Sequence, residues 1–87
     1  MRELTATIKT ETGLHARPAA ALVNSVAKFE SQVTIIKEGQ EANLKSILSL
    51  LSLGVEQHDT ITIKIEGKDE DQVIAAINHA AVELGLW

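Results

Sequence analysis

The chain has 87 residues, room for one domain and not two, and a chain of this size buries only roughly 60% of its unfolded surface on folding. Forty-five per cent of the residues are hydrophobic, cysteine is absent, the formal charge is −4, and the only aromatic residues are Phe29 and Trp87. These features exclude a disulfide framework and a thiolate metal site, and they argue against a nucleic-acid or anionic-membrane partner, which calls for a basic face and stacking rings.

No stretch approaches the ~20 apolar residues of a membrane span. The opening residues Met1-Arg2-Glu3-Leu4-Thr5 alternate polar and apolar, as a strand does and a secretory signal does not. The expectation is a cytoplasmic domain in a reducing compartment, with no membrane insertion. From Arg2 to Lys9 the alternation predicts a half-buried strand with Leu4, Ala6 and Ile8 inward. A loop over Thr10–Gly13 leads to a helix from Ala16 to Phe29, whose stripe is Ala19, Leu22, Val23, Val26 and Ala27. Gln32 to Lys37 is a second strand with Val33 and Ile35 inward. Glu38-Gly39 turns the chain into a short third strand, Gln40 to Asn43. Ser46 to Leu53 is a short helix with Ser46 as its N-cap and Gly54 at its end. Thr60 to Glu66 alternates again, with Ile61, Ile63 and Ile65 inward. After Gly67-Lys68, Asp69 caps a last helix with Gln72 as its capping-box partner. Its stripe is Val73, Ile77, Ala80 and Leu84, and Gly85 stops it. The order is β-α-β-β-α-β-α. One apolar face per strand predicts an α+β open-faced sandwich: an antiparallel sheet with every helix on that face.

Chemistry concentrates in Gly13-Leu14-His15-Ala16-Arg17-Pro18-Ala19-Ala20. His15 falls at the predicted N-cap, which makes Pro18 the third helical residue, where a missing N–H is tolerated. The N–H groups of Ala16 and Arg17 are then free beside the imidazole, at the positive end of the helix. Arg17 adds a guanidinium suited to phosphate oxygens. A nucleophilic ring beside an anion site suits transient phosphorylation of histidine. A lone histidine at a helix start is more often a surface residue or a weak cap, so the segment alone leaves both roles open. His15, His58 and His79 show no metal-ligand spacing, and no nucleophile elbow supports a serine triad. A second segment, Asn43-Leu44-Lys45-Ser46-Ile47-Leu48-Ser49-Leu50-Leu51-Ser52-Leu53-Gly54, contains a short helix apolar nearly all round. Leu50 and Leu53 share one face and Leu48 and Leu51 another, so either a patch around Leu48 and Leu51 is exposed for docking or a neighbouring helix covers it.

Together the two segments, Gly13-Leu14-His15-Ala16-Arg17-Pro18-Ala19 and Asn43-Leu44-Lys45-Ser46-Ile47 with Ser52-Leu53-Gly54, resemble the HPr family. These are histidine-containing phosphocarriers of the bacterial phosphoenolpyruvate-dependent sugar phosphotransferase system. The resemblance spans essentially the whole chain and implies a single domain over residues 1–87, a four-stranded sheet in the order 1-4-2-3 and three helices on one face. It implies that enzyme I phosphorylates His15, that Arg17 assists the phosphohistidine, and that the group passes to sugar-specific enzyme IIA proteins. The protein is then a phosphoryl-transfer intermediate and not an enzyme, monomeric and without a cofactor. Ser46 matches a serine that an HPr kinase/phosphorylase modifies in many Gram-positive bacteria, creating a corepressor for a catabolite-control transcription factor. Ala16, Ala20, Ile47, Leu48 and Leu51 match the surface that receives partners. Leu48 and Leu51 stand where methionine is common, Ser49 where many relatives have glycine, and Trp87 is an unusual last residue. Two other family roles remain open: a regulatory paralogue acting through Ser46, and the carrier of the nitrogen-related branch.

Overall fold

The computed structural model describes residues 1–87. In chain order the elements are β1 (Arg2–Thr7), α1 (Ala16–Val26), β2 (Gln32–Lys37), β3 (Gln40–Asn43), α2 (Ile47–Leu53), β4 (Thr60–Glu66) and α3 (Glu70–Glu83). The four strands form one antiparallel sheet in the order β1-β4-β2-β3. β4 is central, with Ile63 opposite Leu4 on one side and Ile35 on the other. Ile61, Ile63 and Ile65 are almost completely buried, because side chains two apart share a face and this face is covered. They join Val33 and Ile35, Leu22 and Val26 of α1, Leu50 of α2 and Val73 and Ile77 of α3 in one cluster of 19 buried apolar residues. All three helices therefore cover the same face. The other face carries the threonines, with Thr5 hydrogen-bonded to Thr62 and Thr7 to Thr60.

Several boundaries differ from the sequence-based expectation. β1 ends at Thr7, not Lys9. Ile8 is buried, but its N–H and C=O turn to Asp59 and His58 just past the ladder. Leu4 and Ala6 are only half-buried because β1 is an edge strand. α1 stops at Val26, and Ala27, expected in its stripe, is an exposed C-cap. The chain must bend there to bring Phe29 back onto the core. The Phe29 N–H reaches Val26 O at 3.1 Å, and its carbonyl accepts the Lys45 ammonium. In α3 the buried stripe is Val73, Ile77 and Ala81, with Ala80 and Leu84 at its margin.

Asp69 forms no capping box. Its carboxylate makes no cap hydrogen bond and instead accepts the N–H of Glu30 (2.8 Å), the N–H of Ser31 (3.0 Å) and the Ser31 hydroxyl. Ser31 is 1% exposed, and a buried polar group without a partner is more destabilising than a missing surface cap. These bonds, led by the Ser31 hydroxyl and then the Glu30 N–H, hold the Asp69 carboxyl below the ordinary aspartate range.

Candidate functional site

The segment before α1 is pinned by backbone contacts. Gly13 has φ +64°, and a Cβ there would stand 2.5 Å from Val55 O and 2.7 Å from Glu56 Cα. Only glycine admits this approach without strain. The Gly13 N–H donates to Thr10 O at 3.1 Å, the Thr10 hydroxyl to Gly13 O at 3.1 Å, and the Leu14 N–H to Val55 O at 3.1 Å. The Leu14 side chain is buried in the core.

His15 follows at the N-cap, with φ −80° and ψ −179°. Its carbonyl accepts the N–H of Ala19 at 2.9 Å, while its side chain makes no cap hydrogen bond and is exposed. An ordinary N-cap side chain would occupy the first-turn donors. Here they are left free: Ala16 and Arg17 precede the first intrahelical donor, and Pro18 has none. Arg17 is exposed and takes part in none of the four ion pairs. One helix end thus carries a fixed backbone, an imidazole without a cap bond, two free N–H groups and, in its first turn, an arginine outside every ion pair.

The α2 segment lies beside it. Ser46 is the N-cap, its hydroxyl accepting the Ser49 N–H at 3.2 Å, and Gly54 ends the helix at φ 70° with its N–H on Leu51 O. Leu50 and Leu53 face the core, whereas Leu48 is 77% exposed, Ile47 39% and Leu51 36%. No neighbouring helix covers Leu48. His15, Ala16 and Leu51 line one shallow concavity with Gly54 and the acidic Glu11 and Glu56. Arg17, Ala20, Ile47, Leu48 and Ser46 lie outside its lining, and Ala20 is half-buried on α1. Glu56 and Gln57, which also line it, carry no signal in the sequence, because only the fold brings the 54–57 segment beside His15.

The family model of the PTS HPr component phosphorylation site matches residues 2–82 of this chain. The chain belongs to the HPr family. A phosphocarrier protein HPr of Mycoplasma genitalium is 45% identical over 78 residues, covering 88% of this chain and 89% of the relative. The solved structure of a Mycoplasma histidine-containing phosphocarrier protein superposes with a TM-score of 0.95 at 38% identity, over 98% of this chain and 97% of that one. A phosphocarrier HPr of Bacillus anthracis gives 0.82 at 32% identity, over 91% and 94%. HPr proteins are phosphocarriers of the phosphotransferase system and not catalysts. The sheet order and the three helices match the HPr fold. No helix of the chain is long and apolar enough to cross a membrane.

Proposed function

We propose that His15 accepts a phosphoryl group from phospho-enzyme I and passes it to sugar-specific enzyme IIA proteins. The observation that carries this is the unused N-cap side chain of His15 beside the free N–H groups of Ala16 and Arg17, in a chain of HPr family. The neutral ring attacks through the Nδ1 lone pair. A nitrogen–phosphorus bond forms as the bond from phosphorus to the donor breaks, and the reverse exchange delivers the group to the next acceptor. The two N–H groups and the Arg17 fork hold the phosphoryl oxygens throughout, so the charge meets dipoles already in place. The 87 residues act as one monomeric, cytoplasmic domain and need no cofactor. Ala16, Ala20, Ile47, Leu48 and Leu51 form the docking surface, and its exposed apolar centre at Leu48 supports that role.

In the same reading Ser46 is phosphorylated by an HPr kinase/phosphorylase. The phosphate must be desolvated when an apolar partner face covers Ile47, Leu48 and Leu51, so docking to enzyme I weakens. A catabolite-control transcription factor that offers arginine or lysine at that point gains affinity instead. The test is incubation with enzyme I and phosphoenolpyruvate. The wild-type chain gains the mass of one phosphoryl group and His15→Ala gains none. Labelling of His15→Ala would overturn the assignment.

A further inference from the structure

The Gly54–Asp59 segment is the surface against which the chain leading to His15 is laid. Four hydrogen bonds join them: Ile8 N–H to Asp59 O at 2.9 Å, His58 N–H to Ile8 O at 2.8 Å, Gln57 Nε2 to Lys9 O at 3.1 Å and Leu14 N–H to Val55 O at 3.1 Å. Gly13 presses on the same backbone. Yet this segment contains no helix or strand until Thr60, and His58 within it has φ 76°, a conformation unfavourable for a residue with a Cβ. Its shape needs support from outside.

That support comes from the last residue of β2. The Lys37 ammonium donates to Gly54 O at 2.7 Å and pairs with Asp59 Oδ2 at 2.9 Å. The same carboxylate oxygen accepts the Glu56 N–H at 2.8 Å. One cation therefore ties both ends of the segment to the sheet, and one carboxylate closes the turn between them. The two side chains are 16% and 25% exposed, so their attraction is less screened than that of an open surface pair. Both stay ionised through neutral pH. The hydrogen bond to Asp59 raises the lysine, while the Glu56 N–H and then Lys37 lower the aspartate.

We propose that Lys37 and Asp59 are positioning residues for phosphoryl transfer, holding the Gly54–Asp59 segment as the template that fixes the backbone at His15. The proposal rests on the carrier function above. Neither side chain lines the His15 concavity, so the pair governs rate through geometry and leaves the exposed docking side chains as they are.

The test measures transfer from enzyme I, charged with phosphoenolpyruvate, to the wild-type chain, Lys37→Met, Lys37→Arg and Asp59→Asn over a range of carrier concentrations. Amide hydrogen exchange at Leu14 is followed on the same proteins. In Lys37→Met and Asp59→Asn, kcat falls roughly 3- to 10-fold as the near-attack geometry loosens, with KM within about twofold. The Leu14 amide exchanges about tenfold faster or more than in the wild type. Lys37→Arg, which keeps the charge and can still reach both acceptors, recovers most of both losses. Asp59→Asn, nearly isosteric, keeps the test decisive should Lys37→Met lose the fold. Unchanged kcat, a loss carried entirely by KM, undisturbed Leu14 exchange, or Lys37→Arg no better than Lys37→Met would each overturn the proposal. A wild-type chain that takes no phosphoryl group overturns the carrier function and the rate claim with it, while Leu14 exchange still decides whether the pair holds the loop.

Discussion

At His15 the backbone is held from both sides, by the Leu14 N–H on Val55 O and by its own carbonyl under the Ala19 N–H, while the imidazole makes no cap bond. Exposed and outside every ion pair, Arg17 contributes little to folding. Arg17→Ala should leave the urea midpoint nearly unchanged, with stability within about 0.5 kcal/mol of wild type. Transfer from enzyme I should nevertheless fall clearly, and Arg17→Lys should not restore it, since a point charge lacks the planar fork. Full transfer by Arg17→Ala would remove the residue from the site. Gly13 is the opposite case. In Gly13→Ala the left-handed φ and the backbone of Val55 and Glu56 leave no room for a methyl group, and a loss of about 2 kcal/mol or more is expected in denaturant unfolding. Stability equal to wild type would mean that the loop relaxes freely. The residues proposed to carry the chemistry were legible in the sequence only once the His15 and Ser46 segments were read together, since the His15 segment alone fits a surface or weakly capping histidine as well. The residues that hold them were not. Lys37 and Asp59 lie 22 positions apart, and only the fold makes them partners.

Among the elements, α2 is legible in the sequence at both ends, because Ser46 and Gly54 are local signals that act within one turn. The end of α1 and the cap of α3 differ from the sequence-based expectation for a common reason. Phe29 is drawn to the core and Asp69 to the buried Ser31, and neither demand is visible within a window of a few residues. The Ser46 cap makes a prediction for its modified form. A phosphate of charge about −1.5 to −2 at a helix start is locally favourable, so the melting temperature of the Ser46-phosphorylated protein should hold or rise slightly. Phosphorylation kinetics with enzyme I should weaken in the same sample. A large drop in melting temperature would place the effect in unfolding of α2 and contradict a change confined to the docking surface. Ser46→Ala, which loses the bond from the Ser49 N–H, should destabilise the protein by about 1 kcal/mol.

Across the whole molecule, β-α-β-β-α-β-α and one apolar face per strand were enough to place every helix on one side of an antiparallel sheet. The order β1-β4-β2-β3 was not in that pattern, since several pairings bury the same isoleucines equally well; it came from the family resemblance and agrees with the structure. Long-range polar ties then close the fold, and that of Asp69 carries a readable pH signature. Its folded pKa lies below the unfolded value, so its contribution is fully present above about pH 4 and is lost as pH falls through the folded pKa. Between pH 6 and pH 3 the urea midpoint of the wild-type protein should therefore drop further than that of Asp69→Asn, and equal drops would show that the carboxylate is not coupled to folding. In the proposed function the molecule as a whole presents one histidine, His15 at the start of α1, as the acceptor of a phosphoryl group. The most direct test is to charge the protein with enzyme I and phosphoenolpyruvate, record the nitrogen-15 and phosphorus NMR spectra of the product, and then acidify it. The account predicts a phosphoryl group on Nδ1 of His15 that acid removes; an acid-stable label, or one on His58, His79 or a serine, would contradict it.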